Sequence, residues 1–209
     1  MSRLMADDLE LCVGDAILAL RSVLDRDWHL KARHSRWTCW EVLEHVADDL
    51  FSYAGQVLAP SPPLKGYVPF VYEAQRRGGP PVTIRSDPKQ GNQGLLDVFG
   101  TCGAMLCTAV RSSSPDRRGW HPYGVSDPDG FAAMGTVETA VHLHDVSKAL
   151  AFAWSPPPDL LRRALDRLFP RAPKDHDPWQ TLLWATGRGE LPGREALETW
   201  RWDSSVPEP

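Results

Sequence analysis

Four stretches of this chain, each about twenty residues long, carry apolar side chains at steps of three and four, the repeat that gathers them on one face of an α-helix. In residues 4–25 the stripe is Leu9, Val13, Ile17, Leu20 and Leu24. Asp7 and Asp8 lie near its start, where negative charge suits the positive end of the helix dipole. The second stretch opens on Thr38, an N-cap residue, with Glu41 three positions on to complete a capping box. Val42, Val46, Leu50, Tyr53 and Val57 then form its apolar face, and Pro60 ends it because proline cannot continue a helix. Residues 92–112 make a third helix on Leu95, Val98, Phe99, Cys102, Leu106 and Val110. Gly100 and Gly103 inside it lower helix propensity but let a neighbouring helix come close. Residues 131–152 make the fourth, stopped by Trp154 and Pro156–Pro158.

Between these lie two Pro- and Gly-rich connections. Residues 60–90 read as a long ordered loop with a short helix around Phe70–Arg76, and residues 113–130 as a second loop. Two short helices are expected in the tail, at 159–169 and 178–186, the latter closed by Gly187 with Arg188 as a cap. The last stretch holds a Trp200/Trp202 pair and a frayed polar end. No segment alternates polar and apolar residues convincingly, so the expected fold class is all-α: a four-helix bundle over residues 1–154, with a helical, Trp- and Pro-rich extension at 155–209 packed on it. Met105 and Met134 read as core.

Composition removes several function classes. Lys+Arg 23 against Asp+Glu 27 gives a formal net charge of −4, which speaks against nucleic-acid binding. No run of about 18 consecutive apolar residues occurs, so no membrane span is expected. The acidic start MSRLMADDLELCVGD does not read as a secretory signal. Cys12, Cys39, Cys102 and Cys107 have no C-x-x-C spacing, which argues against a disulfide framework or a thiolate zinc site and fits a reducing cytoplasm. Cys12, Cys102 and Cys107 sit among apolar residues, where thiols are inert; Cys39, at a helix start, is the one the dipole can activate. A monomer or homodimer acting on a small-molecule substrate is expected.

The histidines carry the chemistry. Glu138 and His142 are four apart on the fourth helix, so both side chains share one face and can reach one divalent ion. His45, beside Val42 and Val46, lies on or near the core-facing stripe of the second helix. Facing it against Glu138 and His142 gives two imidazoles and one carboxylate, a set that suits zinc with an open fourth position and also iron or nickel. The plainer alternatives are a weak polar pair for Glu138–His142 and a buried, hydrogen-bonded imidazole for His45. His144, two after His142, points about 200° round the helix and belongs to the surface or an inter-helix contact. Asp145, three after His142, either holds a ligand imidazole or bonds loop backbone. In the loop before the fourth helix, His121 is a candidate general acid or base, and Arg117 or Arg118 a candidate carboxylate binder, with Trp120 and Tyr123 as a wall. The alternative there is a loop pinned by aromatic packing.

The segment Trp37-Thr38-x-Trp40-Glu41-Val42-Leu43-x-His45 resembles the second-helix signature of the DinB-like superfamily. More narrowly it is similar to the N-terminal domain of the mycothiol-dependent maleylpyruvate isomerase family. Glu138-x-x-x-His142-x-x-Asp145-x-x-x-Ala149-Leu150 resembles the second half of that signature, and Leu182–Arg188 a tail segment of many members. The resemblance implies a four-helix bundle with a divalent metal, usually zinc, on His45, Glu138 and His142. It also implies a low-molecular-weight thiol, mycothiol, whose sulfur binds the metal. The implied function is a thiol-dependent transferase or isomerase acting on a small electrophilic substrate through a metal-bound thiolate. A metal-dependent hydrolase using bound water, and a non-catalytic small-molecule binder on the same bundle, are the alternatives. The isomerase proper carries a further α+β domain that contributes to its active site, and residues 155–209 do not resemble it. A related thiol transferase, or a specialised enzyme on the same scaffold, is therefore the nearer expectation.

Overall fold

The computed structural model describes residues 2–197 and 199–207, with side chains from residue 5 onward. Six α-helices follow in order: α1 (Ser2–Arg21), α2 (Cys39–Leu58), α3 (Gly91–Ser112), α4 (Pro128–Ala149), α5 (Pro158–Leu168) and α6 (Pro178–Ala185). A 3-10 turn, Pro88–Gln90, leads into α3. Among the described residues there is no strand, and only three isolated antiparallel bridges occur. The first four helices form an all-α, DinB-like bundle in which α1 and α2 each pack against both α3 and α4, while α5 lies on α4 and α6 on α5. Of the last stretch, expected to end polar and frayed, Trp202 and Ser204 are instead buried, and residues 208–209 lie outside the described residues.

The apolar stripes meet in one core. Leu9, Leu20, Val42, Leu50, Leu95, Leu106, Met134 and Val137 are fully buried there. Close approach depends on glycine. A β-carbon on Gly103 would stand 2.8 Å from Val13 Cγ1, and one on Gly135 would stand 2.9 Å from both Leu50 and Leu106. Segment Pro88–Ser112 is long and apolar enough by composition to cross a bilayer, but half of it is buried inside the bundle, as in a core helix.

Several expectations are corrected. The first helix ends at Arg21, after which Val23 and Trp28 turn inward and the Trp28 indole N–H donates to the Val23 carbonyl at 3.0 Å. Asp7 and Asp8 fall beyond the first turn of α1. Asp8 instead holds Arg163 of α5 through two bonds of 2.6 and 2.7 Å, and Asp7 pairs with Arg111 of α3. The fourth helix begins at Pro128: Asp127 caps it by accepting the Gly130 N–H at 2.7 Å, and proline suits the first helical position. Met105 is 39% exposed rather than core, whereas Met134 is buried.

No helix forms at Phe70–Arg76. The chain there is extended, with Glu73 bridged to Val82. Glu73 exchanges backbone bonds with Val82, and the Val71 carbonyl accepts the Thr83 hydroxyl, so the segment pairs across the loop rather than with itself. The loop around it is held by α2. Glu44, Asp48, Ser52 and Gln56 recur every four residues, all are buried, and each bonds the long loop. Gln56 accepts the Val68 N–H and donates to the Trp120 carbonyl, Ser52 meets the Tyr72 hydroxyl at 3.0 Å, Asp48 accepts the Thr83 and Ile84 N–H groups, and Glu44 accepts the Ser86 N–H. Backbone groups that would otherwise demand regular structure are thus satisfied by side chains of one helix.

Candidate metal centre

Local sequence fixes the register of α2. Thr38 Oγ1 accepts the Glu41 N–H, Glu41 Oε2 accepts the Thr38 N–H at 2.9 Å, and Glu41 also holds Arg76 at 2.6 Å. One turn further on, His45 faces α4. Its ring stands edge-on to Trp37 at 4.9 Å and to His142 at 5.2 Å. Glu138 and His142 share one face of α4, with Glu138 Oε2 3.0 Å from His142 Nε2. One ligand atom from each of His45, Glu138 and His142 lies within 4.8 Å of the others. Two helices therefore bring together the three side chains that the spacing singled out.

Asp145 stands behind this trio. Its carboxylate is fully buried, with Oδ2 3.7 Å from His142 Nδ1. The same oxygen accepts Arg188 Nε at 3.0 Å and lies 3.0 Å from a second guanidinium nitrogen. Asp145 is thus placed beside the imidazole and also tied to the loop, since its backbone carbonyl accepts the Arg33 N–H. His142 Nδ1 and Asp145 Oδ1 are buried without a hydrogen-bond partner. These orphaned atoms face the kind of carboxylate–imidazole arrangement that orients a metal-binding histidine.

Burial, and then the neighbouring His142, hold the His45 imidazole down to about 4 despite the pull of Glu138, so His45 is neutral at physiological pH. Burial pushes the Glu138 carboxyl up, but the hydrogen bond and charge of His142, with His45 and Arg188 behind them, outweigh it and leave Glu138 below the usual range. Two imidazoles and one carboxylate are the donor chemistry of zinc sites that keep one position open.

The other candidates are placed elsewhere. His121 is buried against Tyr53, Tyr123 and Trp202 at ring separations of 5.3–6.0 Å, and burial holds it down to about 4 although Glu138 pulls the other way. Arg118 is not brought to the trio; its guanidinium donates to the Pro115 and Arg117 carbonyls of its own loop. Arg117 caps the end of α2 through the Val57 and Ala59 carbonyls. Trp120 packs edge-on to Tyr67 at 4.8 Å, so aromatic packing organises this loop. His144 makes an inter-helix contact with Trp179 of α6 at 5.5 Å. Cys39 is fully buried, and burial pushes its thiol up to about 11, which removes it as a nucleophile.

Two residues at the site escaped the sequence reading. Arg188 was legible only as a helix cap, because nothing local shows that its guanidinium reaches back to Asp145. Asp49 is one turn after His45, with Oδ2 3.3 Å from His45 Nε2; the i, i+4 spacing that flagged Glu138 and His142 was present here too.

Comparison with known proteins adds one finding. No curated protein and no solved structure gives a significant match. Residues 11–147, about two thirds of the chain and inclusive of His45, Glu138 and His142, match the family described as "Mycothiol maleylpyruvate isomerase N-terminal domain". With its helical bundle and its paired His and Glu, this chain belongs to the mycothiol maleylpyruvate isomerase N-terminal domain family.

Proposed function

We propose that the protein is a divalent-metal-dependent enzyme of the thiol-transferase or isomerase kind, acting on a small electrophilic substrate with a low-molecular-weight thiol of the mycothiol type. The observation that carries this reading is the convergence of His45, Glu138 and His142 from two helices, in a chain of this family. Zinc is the metal the donor set fits best. A divalent metal there would lower the pKa of a bound thiol and hold a thiolate nucleophile near neutral pH. The chain's own residues supply the rest. His45 is held neutral and so needs no proton removed to serve as a ligand. Asp145, held by Arg188, stands 3.7 Å behind Nδ1 of the His142 ring. The protein's own thiols take no part: all four cysteines are unpaired and buried, which also fits a reducing cytoplasmic location.

The test is metal analysis of the purified protein. About one equivalent of zinc or another divalent ion is expected, and it should fall below roughly a tenth in His142→Ala. A wild-type protein that neither carries nor takes up a divalent ion overturns the proposal. Cobalt-substituted protein then separates thiol use from hydrolysis. A new sulfur-to-cobalt absorption band on adding a small thiol supports the thiol reading, and its absence favours a hydrolase.

A further inference from the structure

We propose that Asp49 positions the exogenous ligand of this centre: its carboxylate accepts a hydrogen bond from an N–H or O–H carried by the molecule that binds beside His45, Glu138 and His142. The inference rests on the metal reading above and adds a chemical requirement on the ligand. The thiol must bear a donor close to its sulfur, as an amide or amine two carbons away does.

The contrast with the preceding residue is the starting point. Asp48 and Asp49 are adjacent carboxylates on α2, but they turn to different tasks. Asp48 is 3% exposed and spends Oδ1 on the Thr83 and Ile84 N–H groups at 2.7 and 2.8 Å, so it is a rung of the loop attachment. Asp49 takes no backbone N–H. Among the described residues its one close polar contact is His45 Nε2 at 3.3 Å, and its side chain is 21% exposed. An acceptor with spare capacity therefore stands next to a proposed metal ligand and remains open to an incoming molecule.

Asp49 is not a member of the converging trio, whose three ligand atoms lie within 4.8 Å of one another. It flanks them. Among the described residues no Arg or Lys is paired with it, and the charges that act on it most are carboxylates, Glu138 and Asp48. The phenol groups of Tyr53 and Tyr67 lie within the field of both Asp49 and Glu138 and make no hydrogen bond among the described residues. Asp49 and Glu138 give this side of the site its acceptors. A partly buried carboxyl oxygen with no donor is costly, and a donor on the ligand meets that need. Such a hydrogen bond contributes enough for about a tenfold gain in affinity.

The experiment uses full-length, cobalt-loaded protein titrated with two thiols of similar size, N-acetylcysteamine and 1-pentanethiol, followed by the sulfur-to-cobalt absorption band. Wild type should bind the amide-bearing thiol at least about tenfold more tightly than the alkyl thiol, beyond any preference shown by free cobalt. Asp49→Ala, saturated with cobalt, should lose that preference. Asp49→Asn, nearly isosteric and still an acceptor, should retain part of the preference and guards against a folding defect in the alanine variant. Equal binding of the two thiols by wild type, or a preference that survives in Asp49→Ala, overturns the role of Asp49 and leaves the metal reading standing. A wild-type protein that takes up no cobalt overturns the metal reading, and this inference with it.

Discussion

Mild acid should loosen the joint between the C-terminal segment and the bundle through His121. Two independent features make this imidazole neutral. It is 5% exposed among aromatic rings, and its Nδ1 accepts the Tyr123 N–H at 3.2 Å, which requires an unprotonated nitrogen. Burial holds its pKa at about 4, against the ordinary 6.5 it regains on unfolding. Because the folded value is the lower one, the stabilisation is present above pH 6.5 and drains away as pH falls toward 4, where the unfolded chain gains the proton first. Linkage over these two values gives a loss of about 2 kcal/mol between pH 7 and pH 5, or roughly 4–8 °C in Tm for a chain of this size. The assay is urea and thermal unfolding at both pH values for wild type and His121→Asn, whose side-chain oxygen can still accept the Tyr123 N–H. Contributions from His45 and His144 are common to both proteins and cancel. The variant should lose about 2 kcal/mol less than wild type over this range. An equal loss in the two proteins refutes the reasoning.

Other outcomes follow from the same contacts. Arg188→Gln should weaken zinc binding by about 10–100-fold, read by competition with a chromophoric chelator, because Asp145 would lose the guanidinium that fixes it behind His142. Zinc at about a hundredfold excess over its dissociation constant should stabilise the fold by about 2.7 kcal/mol, raise Tm by roughly 5–10 °C, and be reversed by EDTA. Thr38→Ala should cost about 1 kcal/mol in urea unfolding, since it removes the side-chain half of the α2 capping box. Trp28→Ala, which empties a site only 1% exposed and abandons the bond to the Val23 carbonyl, should cost about 3–5 kcal/mol in the same assay.

What the sequence disclosed follows the range of the interactions. Helices α1 to α4 were legible because each stripe and each cap is written within a few residues, as in Thr38 and Glu41. His45, Glu138 and His142 could be nominated because two of them share a helical face and the third lies on an apolar stripe. Their meeting, however, depends on the packing of α2 against α4. Arg188 was opaque, since a guanidinium from the tail reaching Asp145 across 43 positions leaves no local trace. The expected helix at Phe70–Arg76 failed for the same reason. Its backbone partners, Val82 and Thr83, lie across the loop, and polar residues of α2 at four-residue spacing look like a solvated face until the loop is seen lying on them. Arg118 was attractive by residue type alone, and its nearest carbonyls consumed it.

That ladder on α2 also governs where the chain can change length. Running back along the helix, the loop meets Gln56 at Val68, Ser52 at Tyr72, Asp48 at Thr83 and Glu44 at Ser86. Between Tyr72 and Thr83 the chain makes an excursion closed by the Glu73–Val82 bridge and pinned at its outer part, where Arg76 pairs with Glu41 and the Gly78 carbonyl accepts the Trp37 indole N–H. Extra residues inserted at Gly78 would disturb those outer contacts but leave the four attachments in phase. Even a single addition between Thr83 and Ser86 would set two neighbouring attachments against each other, like a zipper with one tooth too many.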